Sequence, residues 1–126
     1  LISKGGYILK DCGTTPDIVL LATGSELQLA CDTAEKLSAA GKKVNVVSMP
    51  STTLFDQQSE FYRDSVLPEH AKIIAIEAAH PDFWYKYVGK KGLIIGISSF
   101  GESAPGPALL DYFGFNADVI AAKILA

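Results

Sequence analysis

The feature that most constrains this chain is a run of five apolar residues with no polar position in it, Ile18-Val19-Leu20-Leu21-Ala22. A strand that alternates apolar and polar side chains covers one face of a sheet, whereas a continuous apolar run has to be covered on both. Val44-Asn45-Val46-Val47 is the next strand, Lys72-Ile73-Ile74-Ala75-Ile76 is another buried one and Leu93-Ile94-Ile95-Gly96-Ile97 is the last. The chain has 126 residues, enough for one domain that buries roughly 65–70% of its unfolded surface. Apolar residues make up 48% and charged residues 20%, which places it with globular rather than disordered chains. A net charge of -3 argues against a nucleic-acid partner, which calls for a concentrated basic face. The apolar runs are far short of the roughly 20 residues that span a bilayer, so no membrane partner is expected.

Between the runs lie helical segments. Leu27, Ala30, Cys31, Ala34 and Leu37 form one apolar stripe at helical spacing, with Glu26, Asp32, Glu35 and Lys36 off it and Gly41 as a C-terminal cap. Ser51 and Ser59 are N-cap residues for two short helices, and Pro81-Asp82 open an aromatic helix, Phe83 to Val88. Pro107 suits the first turn of a helix running to Phe113, and Asn116 caps a final helix from Ala117 to Leu125. Tyr7 to Cys12 is a short first strand, joined to the second by a turn alone, so an antiparallel pairing of those two is expected. The fold class is α/β: a three-layer α/β/α arrangement around a mixed, mainly parallel five-stranded sheet. Phe55, Phe61 and Tyr62 are expected in the core.

In a parallel sheet, ligand sites form at the carboxyl edge. Gly24 and Ser25 end a strand and open a helix there, where backbone amides can hold an anion. The lone glycine lacks the spacing of a dinucleotide or P-loop motif, so a tight strand-to-helix turn is the plainer reading. Glu77, His80, Glu102 and Ser103 should gather at the same edge if the sheet is parallel. Without a nucleophile elbow, or a second histidine or cysteine at ligand spacing beside His70 and His80, they read as a polar rim. Phe83-Trp84-Tyr85-Lys86-Tyr87 packs four aromatics into five residues. Either the helix is wedged between sheet and loops, or Trp84 and its neighbours leave an apolar patch for a partner. Cys12 and Cys31 are too few for a disulfide scaffold and point to a reducing, cytoplasmic setting.

Four segments together resemble the C-terminal domain of the transketolases. They are Leu21-Ala22-Thr23-Gly24-Ser25-Glu26; Val47-Ser48-Met49-Pro50-Ser51-Thr52 with Phe55-Asp56; Asp82 to Gly89; and Phe100-Gly101-Glu102-Ser103-Ala104-Pro105 with Phe113-Gly114-Phe115. The opening Lys4-Gly5-Gly6-Tyr7-Ile8-Leu9-Lys10-Asp11 also fits, so the likeness runs along the whole chain; Gly106-Pro107 departs from the Ala-Glu or Ala-Gly expected there.

The resemblance implies a parent enzyme of three α/β domains, a homodimer, that moves a two-carbon ketol unit from a ketose phosphate to an aldose in the pentose phosphate pathway. Thiamine diphosphate and a divalent metal, usually magnesium, serve that chemistry between the first two domains. The domain resembled here carries no established catalytic residue and packs against the other domains of the parent chain. No catalytic, cofactor-binding or metal residue is therefore carried over. Gly24, Ser25, Glu77, His80, Trp84, Glu102 and Ser103 remain the candidate cleft or interface positions. Residues 1–126 are expected to be one domain, a piece of a longer chain, since there is no initiating Met; the start shows no apolar stretch that reads as a signal peptide. The alternatives are the matching domain of a deoxyxylulose-phosphate synthase or a dehydrogenase β subunit, and a free-standing small-molecule-binding module.

Overall fold

The computed structural model describes residues 2–77, 84–89, 91–97, 108–110 and 113–126. The described elements are β1 (Tyr7–Lys10), β2 (Ile18–Ala22), α1 (Leu27–Ala39), β3 (Val44–Ser48), α2 (Thr52–Asp56), α3 (Glu60–Val66), β4 (Lys72–Ile76), α4 (Tyr85–Val88), β5 (Leu93–Ile97), β6 (Ala108–Leu110) and α5 (Ala117–Leu125). The strands form one sheet in the order β1-β3-β2-β4-β5-β6. All neighbours are parallel except β1 and β3.

β2 sits at the centre with every residue buried. Its alternate side chains feed two separate cores. Ile18, Leu20 and Ala22 join Val46, Ile74 and Ile95 under α1 and α5. Val19 and Leu21 join Val47, Ile73 and Ile94 under α2, α3 and α4. At the amino edge one residue aligns three strands. The Asp17 amide donates to the Lys43 carbonyl at 2.8 Å, and the Asp17 carbonyl accepts from the Lys72 amide at 3.0 Å.

The local signals act as expected. Ser51 Oγ accepts from the Leu54 amide, Ser59 Oγ from the Tyr62 amide and Asn116 Oδ1 from the Val119 amide. α1 ends in a double cap, Gly41 N–H to Ser38 O at 3.0 Å and Lys42 N–H to Leu37 O at 3.1 Å, with Gly41 at φ 90°.

Two expectations about strands need correction. β1 pairs with β3, not with β2. β2 takes parallel partners on both edges, so the first strand is left the outer edge of β3. The helix expected from Pro107 to Phe113 is replaced at Ala108–Leu110 by β6, a short sixth strand beyond the five expected ones. Its pairing with Ile95–Ile97 covers the otherwise open edge of β5, a tertiary gain that overrides a weak helix preference.

The Gly5-Gly6 pair places β1. Gly5 has φ +82°, and a Cβ there would land on the Ser51 carbonyl oxygen and the Phe55 amide nitrogen. The Gly5 carbonyl accepts from the Ser51 amide at 2.9 Å, so the chain entering β1 lies directly on the turn that leaves β3. Gly13 shares the left-handed backbone (φ +83°), but a Cβ there would meet nothing. Gly5→Ala is therefore expected to cost about 3 kcal/mol, backbone strain and collision together. Gly13→Ala should cost only about 1 kcal/mol. Urea unfolding of both variants checks this, and equal losses would show that the close approach constrains nothing.

Candidate functional site

The carboxyl edge was the expected site. Gly24 and Ser25 follow β2, and Glu77 follows β4, the strand beside it, so these three lie on one edge. His80, Glu102 and Ser103 lie outside the described residues. Thr23 to Glu26 is a single 3-10 turn, closed by the Glu26 amide on the Thr23 carbonyl at 2.9 Å. The Ser25 hydroxyl donates to the Glu26 carboxylate, which is itself buried. A buried carboxylate of the chain's own thus takes up the Ser25 hydroxyl at the turn where an outside anion would have to bind. An open cleft of about 490 Å3 lies here between Ser25, Glu26, Leu29, Ile97, Phe115 and Asn116. Glu77 turns elsewhere: its Oε1 accepts from Trp84 Nε1 at 3.2 Å.

Trp84 corrects the expectation of an exposed aromatic patch. It is 3% exposed and Tyr87 is 9% exposed, so both belong to the core under α2–α4. The wedged-helix reading holds for these two rings. They pack with centroids 5.6 Å apart, and Tyr87 lies 6.3 Å from Phe55, which lies 6.3 Å from Tyr62. Phe55 is buried as expected, but Phe61 is 85% exposed. Phe61 and Tyr62 are adjacent on α3, and a short helix that turns Tyr62 inward turns Phe61 out. The large side chains exposed among the described residues are Phe61 and Phe113 above all.

A polar cluster that joins two helices was not expected. Asp56, at the end of α2, accepts from the Tyr87 hydroxyl at 2.9 Å (Oδ1) and from the Lys86 ammonium at 2.7 Å (Oδ2). Lys86 Nζ also lies 5.1 Å from the Tyr87 ring centroid. An open cleft of about 430 Å3 lies over the group, walled by Phe55, Arg63, Leu67 and Tyr87. Partial burial alone would raise the Asp56 pKa, but hydrogen bonds from Lys86 and Tyr87, and the charges of Lys86 and Arg63, outweigh it and hold the carboxyl below its usual range. Burial, and then the hydrogen bond to Asp56, push the Tyr87 phenol up.

Both Asp56 oxygens are engaged, so the cluster joins α2 to α4 instead of presenting a free base. Its signal was in the sequence as two separate pieces, Phe55-Asp56 and Trp84-Tyr85-Lys86-Tyr87; their 31-residue separation hid the contact. Because the folded pKa is lowered, the stabilisation from ionised Asp56 is complete at neutral pH and is lost as pH falls below the ordinary 3.8. Asp56→Ala should cost about 1 kcal/mol at pH 7, mainly the Tyr87 hydrogen bond, since solvent screens the exposed ion pair. The gap to the unaltered chain should narrow below pH 3.8, as read from urea midpoints across that range.

Comparison with known proteins agrees with the early resemblance. Residues 5–116 match the family model of the transketolase-like TK C-terminal domain. Transketolase 2 of Escherichia coli K12 is 54% identical over 123 residues, covering 97% of this chain and 18% of its own length. Transketolase 1 of Vibrio cholerae is 59% identical over 118 residues, covering 93% of this chain and 18% of its own length. The crystal structure of transketolase from Campylobacter jejuni superposes with a TM-score of 0.80 at 35% identity, over 99% of this chain and 19% of that one. The chain thus spans about a fifth of the length of the relatives it matches. On both sequence and fold, the chain belongs to the transketolase C-terminal domain family.

Proposed function

We propose that this chain is the C-terminal, non-catalytic domain of a transketolase. The parent would be a homodimer that transfers a two-carbon ketol unit from a ketose phosphate to an aldose, in the cytoplasmic pentose phosphate pathway. The observation that carries the reading is the unbroken match to transketolases at 52–59% identity over 93% or more of the chain. Such transfer depends on thiamine diphosphate, with magnesium as its usual divalent partner.

A hard divalent cation takes about six oxygen ligands, carboxylates among them. Among the described residues, no group of three or more His, Cys, Asp or Glu side chains converges to hold a metal. The residues described do not fit the group, and no step of the transfer is assigned to this chain. Its contribution is a rigid body: two cores on one sheet, with Asp56, Lys86 and Tyr87 fixing α2 against α4. Among the described residues no helix is long and apolar enough to cross a membrane.

Three measurements test this. Calorimetric titration of the purified chain with thiamine diphosphate and magnesium should give no binding heat, and a ketol-transfer assay no turnover. Replacing the matching segment of E. coli transketolase 2 with this chain should leave a folded enzyme whose turnover stays within an order of magnitude of the original. Micromolar cofactor binding by the chain alone, or turnover removed by Glu77→Gln, would place an active site on this domain and overturn the reading.

A further inference from the structure

The sequence contains two cysteines, and both line one open cleft at the amino edge of the sheet, together with Lys10, Glu35 and Ser38. They differ in access. Cys31 lies on α1 and is 7% exposed, packed into the core that holds Val44 and Val46. Cys12 lies just past β1 and is half-buried.

Two contacts hold the Cys12 segment, one to β3 and one to α1. The Cys12 amide donates to Asn45 Oδ1 at 2.8 Å, and Lys10 Nζ pairs at 3.9 Å with Glu35, one helical turn beyond Cys31. The Cys12 thiol itself donates only to a neighbour in its own loop, the Thr14 carbonyl, at 3.2 Å. Asp11, Gly13, Thr14 and Thr15 are exposed, and the chain is anchored again only at buried Pro16. Movement of Cys12 toward α1 has to release its amide from the buried Asn45 side chain, but the exposed residues on either side of it carry no core packing.

We propose that Cys12 and Cys31 are a peroxide-sensitive thiol pair, oxidised within one chain to a disulfide that ties the 11–17 connection to α1. The inference is independent of the transketolase reading. The oxidant is a hydroperoxide, which meets the more accessible thiol first. The Cys12 sulfur attacks the terminal peroxide oxygen, the O–O bond breaks, and the products are a Cys12 sulfenic acid and one molecule of alcohol, or of water from hydrogen peroxide. The Cys31 sulfur then attacks the Cys12 sulfur, an S–S bond forms, and the hydroxyl leaves as water with the Cys31 proton. One peroxide is reduced and two thiols are oxidised, so the step balances. A dithiol carrier reverses it. The bond requires the two Cα atoms to come within about 7 Å, across the cleft that both residues line.

Hydrogen peroxide is the probe. After brief treatment, free thiols are blocked with N-ethylmaleimide in acid and the chain is digested at acidic residues, which cuts between the cysteines at Asp17 and Glu26. The expected result is an intact mass lower by about 2 Da, with the Cys12 and Cys31 peptides joined in a monomeric chain and freed by dithiothreitol. In Cys31→Ala, a core-compatible change, oxidation should stop on Cys12 as sulfenic and sulfinic acids. Three results would each overturn the proposal: Cys12 oxidised to sulfinic acid in the unaltered chain while Cys31 remains a free thiol; a disulfide between two chains instead of within one; or a Cys12–Cys31 bond that forms as fast in urea as in the native protein.

Discussion

A strand with no polar side chain cannot be stable under a single layer of helices. β2 is that strand, and its five residues are 6% exposed or less. Fully burying a Leu or Ile contributes about 1.5–3 kcal/mol. Stripping either helical layer would expose two or three such residues, a loss comparable to a domain's whole margin of roughly 5–15 kcal/mol. The two cores are therefore not alternatives. The helix that follows β2 covers one face, so the chain has to bring α2, α3 and α4 to the other. The aromatic rings and Asp56 are what hold that second layer in place.

This gives the family likeness a physical meaning. Phe55-Asp56 and Trp84 to Tyr87 are separate words in the sequence and one contact in the fold: Asp56 holds Tyr87 and Lys86, and Phe55 packs against the Tyr87 ring. Glu77 ties Trp84 to the end of β4 in the same layer. Much of what marks the family in this chain is the cement of its second helical layer. Gly5 serves a similar end on the other side of Phe55, where only a residue without a Cβ fits between Ser51 and the Phe55 amide.

Local signals were legible because each depends on near neighbours. The apolar runs, the α1 stripe, the Gly41 cap and the serine and asparagine N-caps all act within about five residues. The partner of β1 was not legible, since it depended on β2 having both edges occupied, which emerges only from the whole sheet. β6 was missed for a like reason: three residues, Ala108–Leu110, follow the open edge of β5 and not their own preference. Phe61 was expected inside and Trp84 was left open between a buried and an exposed place, because short helices have no long stripe from which to read an inward face. Of the candidate edge, Gly24, Ser25 and Glu77 follow the ends of β2 and β4, but the hydrogen-bond partners Glu26 and Trp84 were not foreseen.

The strand order has a consequence for how the chain is made. β2 is complete at Ala22, yet its two neighbours are residues 44–48 and 72–76, both still to come. A chain growing from its amino terminus therefore carries its most apolar strand with two open edges, until the first partner arrives and then with one open edge until the second. Unpaired edges of this kind are templates for association between chains. A pause that leaves the emerged chain ending between residues 23 and 71 is thus more hazardous than one after residue 76 has emerged, and the interval before β4 emerges is where a holding chaperone would matter most.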